Sequence, residues 1–227
     1  MLGVQHEHDV EHARFLGRVL HVVTQHVEEG LCSRKARLGR INVHGAAWDG
    51  ALTARQIGQG GDARQAAIEK SSGEFIGFVD ADDYVDMDFV AVLYGLITKT
   101  GADVACCQHY FYDEEHQRLT TPWAYDDKVV CLSPDEAMRK MKGYDQMDEG
   151  LWNKLCRREI VVRHRMETFP FEDAFVLYKY VPEAASVALC CVPLYYYYQR
   201  DGSLMHTGYT PYKAFARYKL EILKDKA

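Results

Sequence analysis

From residue 71 onward, hydrophobic and polar positions follow two different periods in turn. The apolar run EFIGFV at 74–79 is short and ends at Asp80, which is typical of a buried strand. From Asp86, apolar residues recur at helical spacing until Gly101, which predicts a helix that ends at this glycine. The next apolar run, at 103–112, predicts another strand. A strand, an acidic loop, a helix and a second strand are therefore expected in this order.

The same alternation continues toward the carboxyl end of the chain. Ser133 and Glu136 form a capping box around Pro134 at the first helical position, which predicts a helix to about Lys142. The further predicted elements are a mixed segment at 151–162, a helix at 172–180, two strands within 186–198, and a helix after Thr210 that carries Phe215, Tyr218 and Ile222. Alternating strands and helices indicate α/β architecture.

Residues 1–70 differ from the rest of the chain in pattern and composition. Apolar residues at helical spacing favour an amphipathic helix over 9–29, whereas 30–62 has no clean period and receives no assignment. All 15 tyrosines lie at Tyr84 or later. The composition therefore changes near residue 70.

Composition and charge exclude several classes of protein. The chain has 227 residues, of which 48% are hydrophobic, so it can bury a core. A formal charge of −6 does not suit a nucleic-acid backbone or an anionic membrane surface. No apolar run approaches the roughly 20 residues of a membrane span, and we expect a cytoplasmic location, with peripheral contact at the inner membrane face as an alternative. The seven cysteines are expected to be reduced thiols.

The acidic sequence Asp80-Ala81-Asp82-Asp83 directly follows the first predicted strand. Ligands of open α/β sheets bind outside the carboxyl ends of strands. Carboxylates at that place suit a hard cation such as Mg²⁺ or Mn²⁺, which in turn binds phosphate oxygens. The alternative is a solvated helix start, where negative charge is favourable.

Several segments together resemble the family 2 glycosyltransferases of the GT-A fold. The family pattern of an A-R-N-x-G helix followed by A-x-G-E-Y-I-x-F-x-D-x-D-D is similar to Ala63–Ala67 and Ser71–Asp83. The segments LWNKLCRREIV at 151–161, FPFEDAFV at 169–176 and YYYYQRDGSLMH at 195–206 resemble later family motifs in the same order. The resemblance implies an α/β fold whose Rossmann-like, mostly parallel sheet is flanked by helices.

The resemblance also implies roles for individual residues. Asp173 would be the general base that deprotonates the acceptor hydroxyl, with Glu172 as second choice. Trp152 would contact the acceptor, although it is equally compatible with a core aromatic residue. The residues expected to bind the donor are Arg64, Asp80, Asp82, Asp83 and Lys154, of which Lys154 is otherwise a surface charge. The expected metal ligands are Asp80, Asp82 and His206.

The implied reaction is a metal-dependent, inverting transfer of a sugar from a nucleotide-diphosphate sugar to a hydroxyl group. The expected donor is a UDP-sugar, the expected acceptor is a glycan or a lipid-linked sugar, and the expected cation is Mg²⁺ or Mn²⁺. Arg200 and Ser203 lie in a carboxyl-terminal segment that is expected to fold over the donor.

Residues 1–60 depart from the family pattern. They contain neither the P-V-Y-N-like nor the D-D-G-S-like turn that holds the nucleotide, and Gln65 and Ala67 replace the usual Asn and Gly. We therefore divide the chain into an atypical nucleotide-binding portion, 1–60, and the remainder of the GT-A domain, 61–227. Either a shifted reading frame or a divergent amino-terminal segment explains this departure.

Two other functions compete with sugar transfer. A haloacid-dehalogenase-like phosphatase also has D-x-D after a strand, but Tyr84 stands where that family has Thr or Val, and no G-D-x-x-x-D segment follows. A catalytically impaired glycosyltransferase remnant would act as a non-enzymatic binding protein. Donor binding separates this reading from an active enzyme.

Overall fold

The computed structural model describes residues 20–24, 60–80, 83–113, 115–168, 170–199 and 211–226. Within these ranges, strands and helices alternate along the chain. The strands are β1 (Leu20–Thr24), β2 (Phe75–Val79), β3 (Tyr84–Val85), β4 (Val104–Asp113), β5 (Arg118–Thr120), β6 (Val129–Leu132), β7 (Lys154–Arg157) and β8 (Val187–Gln199). The helices are α1 (Gly60–Lys70), α2 (Phe89–Thr100), α3 (Pro134–Gly143), α4 (Arg158–Val161), α5 (Glu172–Glu183) and α6 (Pro211–Lys226).

One sheet contains all the described strands, in the order β1-β2-β7-β4-β8-β3, with β5 paired to β4 and β6 to β8. The pairings β1 with β2 and β4 with β8 are parallel, and the pairings of β7 with both β2 and β4 are antiparallel. Strands β1, β2, β4 and β8 consequently run in one direction, with β7 inserted against them. Their carboxyl ends point toward the same edge of the sheet.

The expected α/β class with a helix-flanked sheet is confirmed, but the balance of strand directions differs from the prediction. Five of the seven described pairings are antiparallel, because β3, β5, β6 and β7 run opposite to the four strands of common direction. Strands β3, β5, β6 and β7 are short, with at most four residues each. Because such short strands leave no long apolar run in the sequence, the hydrophobic pattern mainly indicates the parallel strands.

Alternating side chains of the sheet divide the core between its two faces. Ile76 and Phe78 belong to a cluster with residues of α3, α4, α5 and α6, whereas Phe75 and Val79 pack with α2. Side chains of successive strand residues point to opposite faces, so a continuously apolar strand requires cover on both. Strand β2 is buried at all five positions, as this arrangement demands.

Two of the predicted elements are wrong. The helix expected over 9–29 conflicts with strand β1 at Leu20–Thr24, because pairing with the buried strand β2 overrides a helical spacing of β-branched residues. The two strands expected within 186–198 are one strand, β8. Pro193 lies within it, at a place where the register between β4 and β8 is irregular and tolerates a missing N–H donor.

Predictions of helix ends agree well with the structure. Gly101 ends α2 in a left-handed conformation with φ of 71°. The capping box of Ser133 and Glu136 is formed at the start of α3.

The apolar face expected for α6 differs from the one observed. Tyr218 and Ile222 are exposed, while Ala216 and Leu220 are buried. Among the described residues, no helix is long and apolar enough to cross a membrane.

Candidate active site

Acidic residues meet a buried arginine at the edge toward which β1, β2, β4 and β8 point. Asp80 directly follows β2, and Glu172 and Asp173 open helix α5. Arg64 reaches them from α1. The structure thus brings together four of the predicted site residues, from three separate segments of the chain, at the sheet edge where ligands of open α/β folds bind.

Arg64 joins the carboxylates of Asp80 and Glu172. Its Nη2 atom donates to Asp80 Oδ1 over 2.8 Å and its Nη1 atom donates to Glu172 Oε1 over 2.6 Å, while its side chain is only 4% exposed. Burial alone would lower the pKa of Arg64, but the charges of Asp80, Asp173 and Glu172 raise it above its usual value. The guanidinium group is therefore a fixed positive charge at the centre of the cluster.

Asp173 has an environment that suits proton transfer near neutral pH. Burial raises the pKa of its carboxyl group to about 7, with further increases from the charges of Glu172 and Asp80. The charge of Arg64 and the backbone N–H of Ala174, which donates to Asp173 Oδ1 over 2.9 Å, act in the opposite direction. A half-buried carboxyl group with such a pKa can accept a proton from a bound hydroxyl group.

The turn before α5 places Glu172 and Asp173 at the start of the helix. Phe171 immediately precedes the helix with φ of 68°, in the left-handed region that a bulky residue rarely adopts. Glu172 and Asp173 then occupy the first helical turn, where backbone N–H groups and the helix dipole favour negative charge. The strained residue lies beside the candidate base, a position where backbone strain is often retained for function.

Tyr195 contacts the acidic segment from β8, a feature that the sequence analysis missed. Its hydroxyl group accepts from the backbone N–H of Asp80 over 3.0 Å and donates to Asp83 Oδ2 over 2.7 Å. The backbone N–H of Tyr198 donates to Asp83 Oδ1 over 2.8 Å. The only available signal was the position of Tyr195 in the closing motif of the family, because its partners lie more than 110 residues away along the chain.

Trp152 is a buried aromatic residue beside Tyr195. Its side chain is 8% exposed, and its ring lies 4.5 Å from that of Tyr195 and 4.8 Å from that of His109. An added Cβ on Gly150 would lie 2.2 Å from Trp152 Nε1, so only glycine fits there without a shift of the ring. The structure thus supports the core-aromatic reading of Trp152, and acceptor contact stays a prediction.

Lys154 is fully buried, so its reading as a surface charge is wrong. Its ammonium group donates to Asp148 Oδ1, the Gly150 carbonyl oxygen and Asn153 Oδ1 over 3.1, 2.6 and 2.7 Å. Burial raises the pKa of Asp148, but the charge of Lys154, the contact with His109 and the backbone N–H of Gly150 together outweigh it, and the pKa falls to about 2. All three N–H donors of Lys154 are engaged, so a phosphate contact would require release of one of them.

The predicted metal ligands fall partly outside the described residues. Asp82 and His206 lie there, as do Arg200 and Ser203. Within the part of the chain that the structure describes, no group of three or more His, Cys, Asp or Glu side chains forms a metal site. The carboxylate of Asp80 supplies an oxygen ligand of the kind that Mg²⁺ and Mn²⁺ prefer. One or two protein carboxylates are enough when substrate phosphates complete the coordination.

Comparison with protein families and curated proteins finds similarity to glycosyltransferases. The model for Glycosyl transferase family 2 matches residues 52–165, half of the chain. The glycosyltransferase GlyG of Streptococcus pneumoniae is 26% identical over 175 residues, which are 74% of this chain and 58% of GlyG. The cholesterol galactosyltransferase of Borreliella burgdorferi is 26% identical over 156 residues, 63% of this chain and 42% of that protein. The chain thus spans about half the length of these relatives.

Solved structures of S. aureus TarS share the fold. The complex of TarS 1–349 with UDP-GlcNAc has a TM-score of 0.62 at 18% identity, over 89% of this chain and 55% of that chain. The complex with UDP has a TM-score of 0.54 at 15% identity, over 89% and 54% of the two chains. These similarities confirm the expected GT-A fold.

Proposed function

Because the chain belongs to glycosyl transferase family 2, we propose that it transfers a sugar from a nucleotide-diphosphate sugar to a hydroxyl acceptor. The observation that carries the proposal is the convergence of Asp80, Arg64, Glu172 and Asp173 at one edge of the sheet. This arrangement combines a carboxylate directly after a strand with a second carboxyl group whose pKa of about 7 suits a general base.

In the proposed reaction, Asp173 accepts the proton of the acceptor hydroxyl group. The acceptor oxygen forms a bond to the anomeric carbon while the bond from that carbon to the diphosphate oxygen breaks. The electron pair of the broken bond leaves with the nucleoside diphosphate. A single displacement of this kind inverts the configuration at the anomeric carbon and requires no covalent intermediate with the protein.

Arg64 links the carboxylate after β2 to the start of α5. Arg64 keeps Asp80 and Glu172 within one hydrogen-bonded unit, so the spacing between the β2 end and the start of α5 is fixed. Its charge also opposes the repulsion among Asp80, Glu172 and Asp173. Glu172 is engaged by Arg64, which favours Asp173 over Glu172 as the base.

We assign the cation to Asp80 together with Asp82. A bound Mg²⁺ or Mn²⁺ would neutralise charge on the departing diphosphate. Oxygen ligands from one strand end and from the donor phosphates fit the coordination that these ions prefer.

A UDP-sugar is the proposed donor, and a glycan or lipid-linked sugar is the proposed acceptor. The support for the donor is the fold shared with TarS, whose structures contain UDP-GlcNAc and UDP. The sugar itself is left to experiment.

Calorimetric titration of the full chain with UDP, with and without Mn²⁺, tests the proposal. We expect Mn²⁺-dependent binding that Asp80→Asn removes, because the amide lacks the charge that the cation requires. Asp88→Asn is the matched control. Asp88 lies in the same acidic region, is exposed, and makes no side-chain hydrogen bond that caps helix α2. A folded chain that binds no UDP contradicts the proposal and favours the non-enzymatic reading.

A further inference from the structure

We infer that Tyr195 is a positioning residue that fixes both ends of the acidic segment 80–83. The inference rests on the proposed function, because that segment carries the carboxylates assigned to the cation. Tyr195 lies on β8, more than 110 residues along the chain from Asp80 and Asp83.

The geometry gives one hydroxyl group two tasks. As acceptor, the Tyr195 hydroxyl group receives the Asp80 N–H over 3.0 Å, and as donor it reaches Asp83 Oδ2 over 2.7 Å. The backbone closes the same segment through the Asp83 N–H, which donates to the Asp80 carbonyl oxygen over 3.0 Å. The residues on either side of 81–82 are therefore tied to one point on β8.

The ring of Tyr195 is itself held firmly. It is fully buried, with the ring of Trp152 4.5 Å away and that of Phe89 6.1 Å away. Such a ring can hold its hydroxyl group at one place between Asp80 and Asp83.

Asp83 takes the role of an anchor in this arrangement. One of its oxygens accepts from the Tyr195 hydroxyl group and the other accepts from the Tyr198 N–H. Both contacts are charge-assisted hydrogen bonds, which are stronger than neutral ones. Asp83 therefore acts through the segment's position, whereas Asp80 and Asp82 remain the carboxylates proposed for the cation.

Tyr195→Phe tests the inference because it removes the hydroxyl group and leaves the packed ring. Tyr178→Phe is the matched control: Tyr178 is also buried, and its hydroxyl group donates to a carboxylate, Glu149 Oε1, over 2.6 Å. The measurements are UDP affinity at saturating Mn²⁺, Mn²⁺ affinity at saturating UDP, and the melting temperature. We expect Tyr195→Phe to weaken Mn²⁺ binding about tenfold or more. Tyr178→Phe should lower the melting temperature by a similar amount and leave both affinities unchanged.

A double-mutant cycle adds a second readout. Because Tyr195 acts in part through Asp83, Tyr195→Phe combined with Asp83→Ala should weaken Mn²⁺ binding by less than the sum of the two single losses. Wild-type affinity in Tyr195→Phe overturns the inference, as do equal losses in Tyr195→Phe and Tyr178→Phe or additive losses in the cycle.

Amide hydrogen exchange separates failure of this inference from failure of the proposed function. If the wild-type chain binds no UDP, the proposed function fails, and the positions of Asp80 and Asp83 are then judged without ligand. Faster exchange of the Asp80 and Tyr198 amides in Tyr195→Phe, but not in Tyr178→Phe, supports the role of Tyr195 in holding the segment. Unchanged exchange in Tyr195→Phe overturns it.

Discussion

Replacing Asp173 with asparagine should remove activity and stabilise the fold at the same time. The amide keeps the size of the side chain and an oxygen that can accept the Ala174 N–H, but it can neither take a proton nor carry a charge. For a general base, the expected loss of sugar transfer is about 10²- to 10⁴-fold. The gain in stability follows from the environment that raises the pKa of Asp173.

The sign and size of that gain come from the shifted pKa. Burial raises the pKa of Asp173 from 3.8 to about 7, so the folded state disfavours the charged form. Below the lower value both folded and unfolded chains are protonated and the effect vanishes, whereas above pH 7 it is complete. Each pH unit between the two values contributes about 1.4 kcal/mol, which sets an upper bound of about 4 kcal/mol. Because Asp173 is half-buried and solvent screens its charge, we expect on the order of 2 kcal/mol.

Urea unfolding of the wild-type chain and Asp173→Asn at pH 8 and pH 5 provides the assay. The variant should be more stable at pH 8, and the difference should shrink at pH 5, where the wild-type carboxyl group is already largely protonated. Glu136→Gln is a control of opposite sign, since hydrogen bonds from Ser133 lower the pKa of Glu136 and the folded state favours its charge. A stability difference that is equal at both pH values, or a variant less stable at pH 8, would refute the reasoning.

Two further substitutions test the packing behind the site. Lys154→Met leaves Asp148 buried without its cation and should lower the free energy of unfolding by about 3 to 5 kcal/mol in urea titration. A change below about 1 kcal/mol would contradict this account. Gly150→Ala should lower the melting temperature because the new Cβ would lie 2.2 Å from Trp152 Nε1. The control Gly95→Ala has open space around its Cβ in helix α2 and should raise the melting temperature, so equal shifts in both variants would argue against the steric reason.

Helix ends were the most predictable features of the fold. A capping box or a terminal glycine acts through hydrogen bonds within a few residues, so Ser133 and Gly101 could be read directly. The strand over 20–24 was missed because a spacing of valines suits a helix as well as a strand, and only pairing with β2 decides between them. For the same reason, one continuous β8 was predicted as two strands around Pro193.

Residue type and order by themselves determined that carboxylates follow β2 and open α5, with an arginine on a preceding helix. Those positions come from local patterns and from the family's motif order. The tertiary structure alone decided which charges face one another. It buried Lys154 against Asp148, made Arg64 a link between Asp80 and Glu172, and placed the Tyr195 hydroxyl group between Asp80 and Asp83. The physical reason is that the interaction between two charges and the pKa of a carboxyl group depend on burial and on the neighbours that folding brings close. Distance along the sequence determines neither quantity.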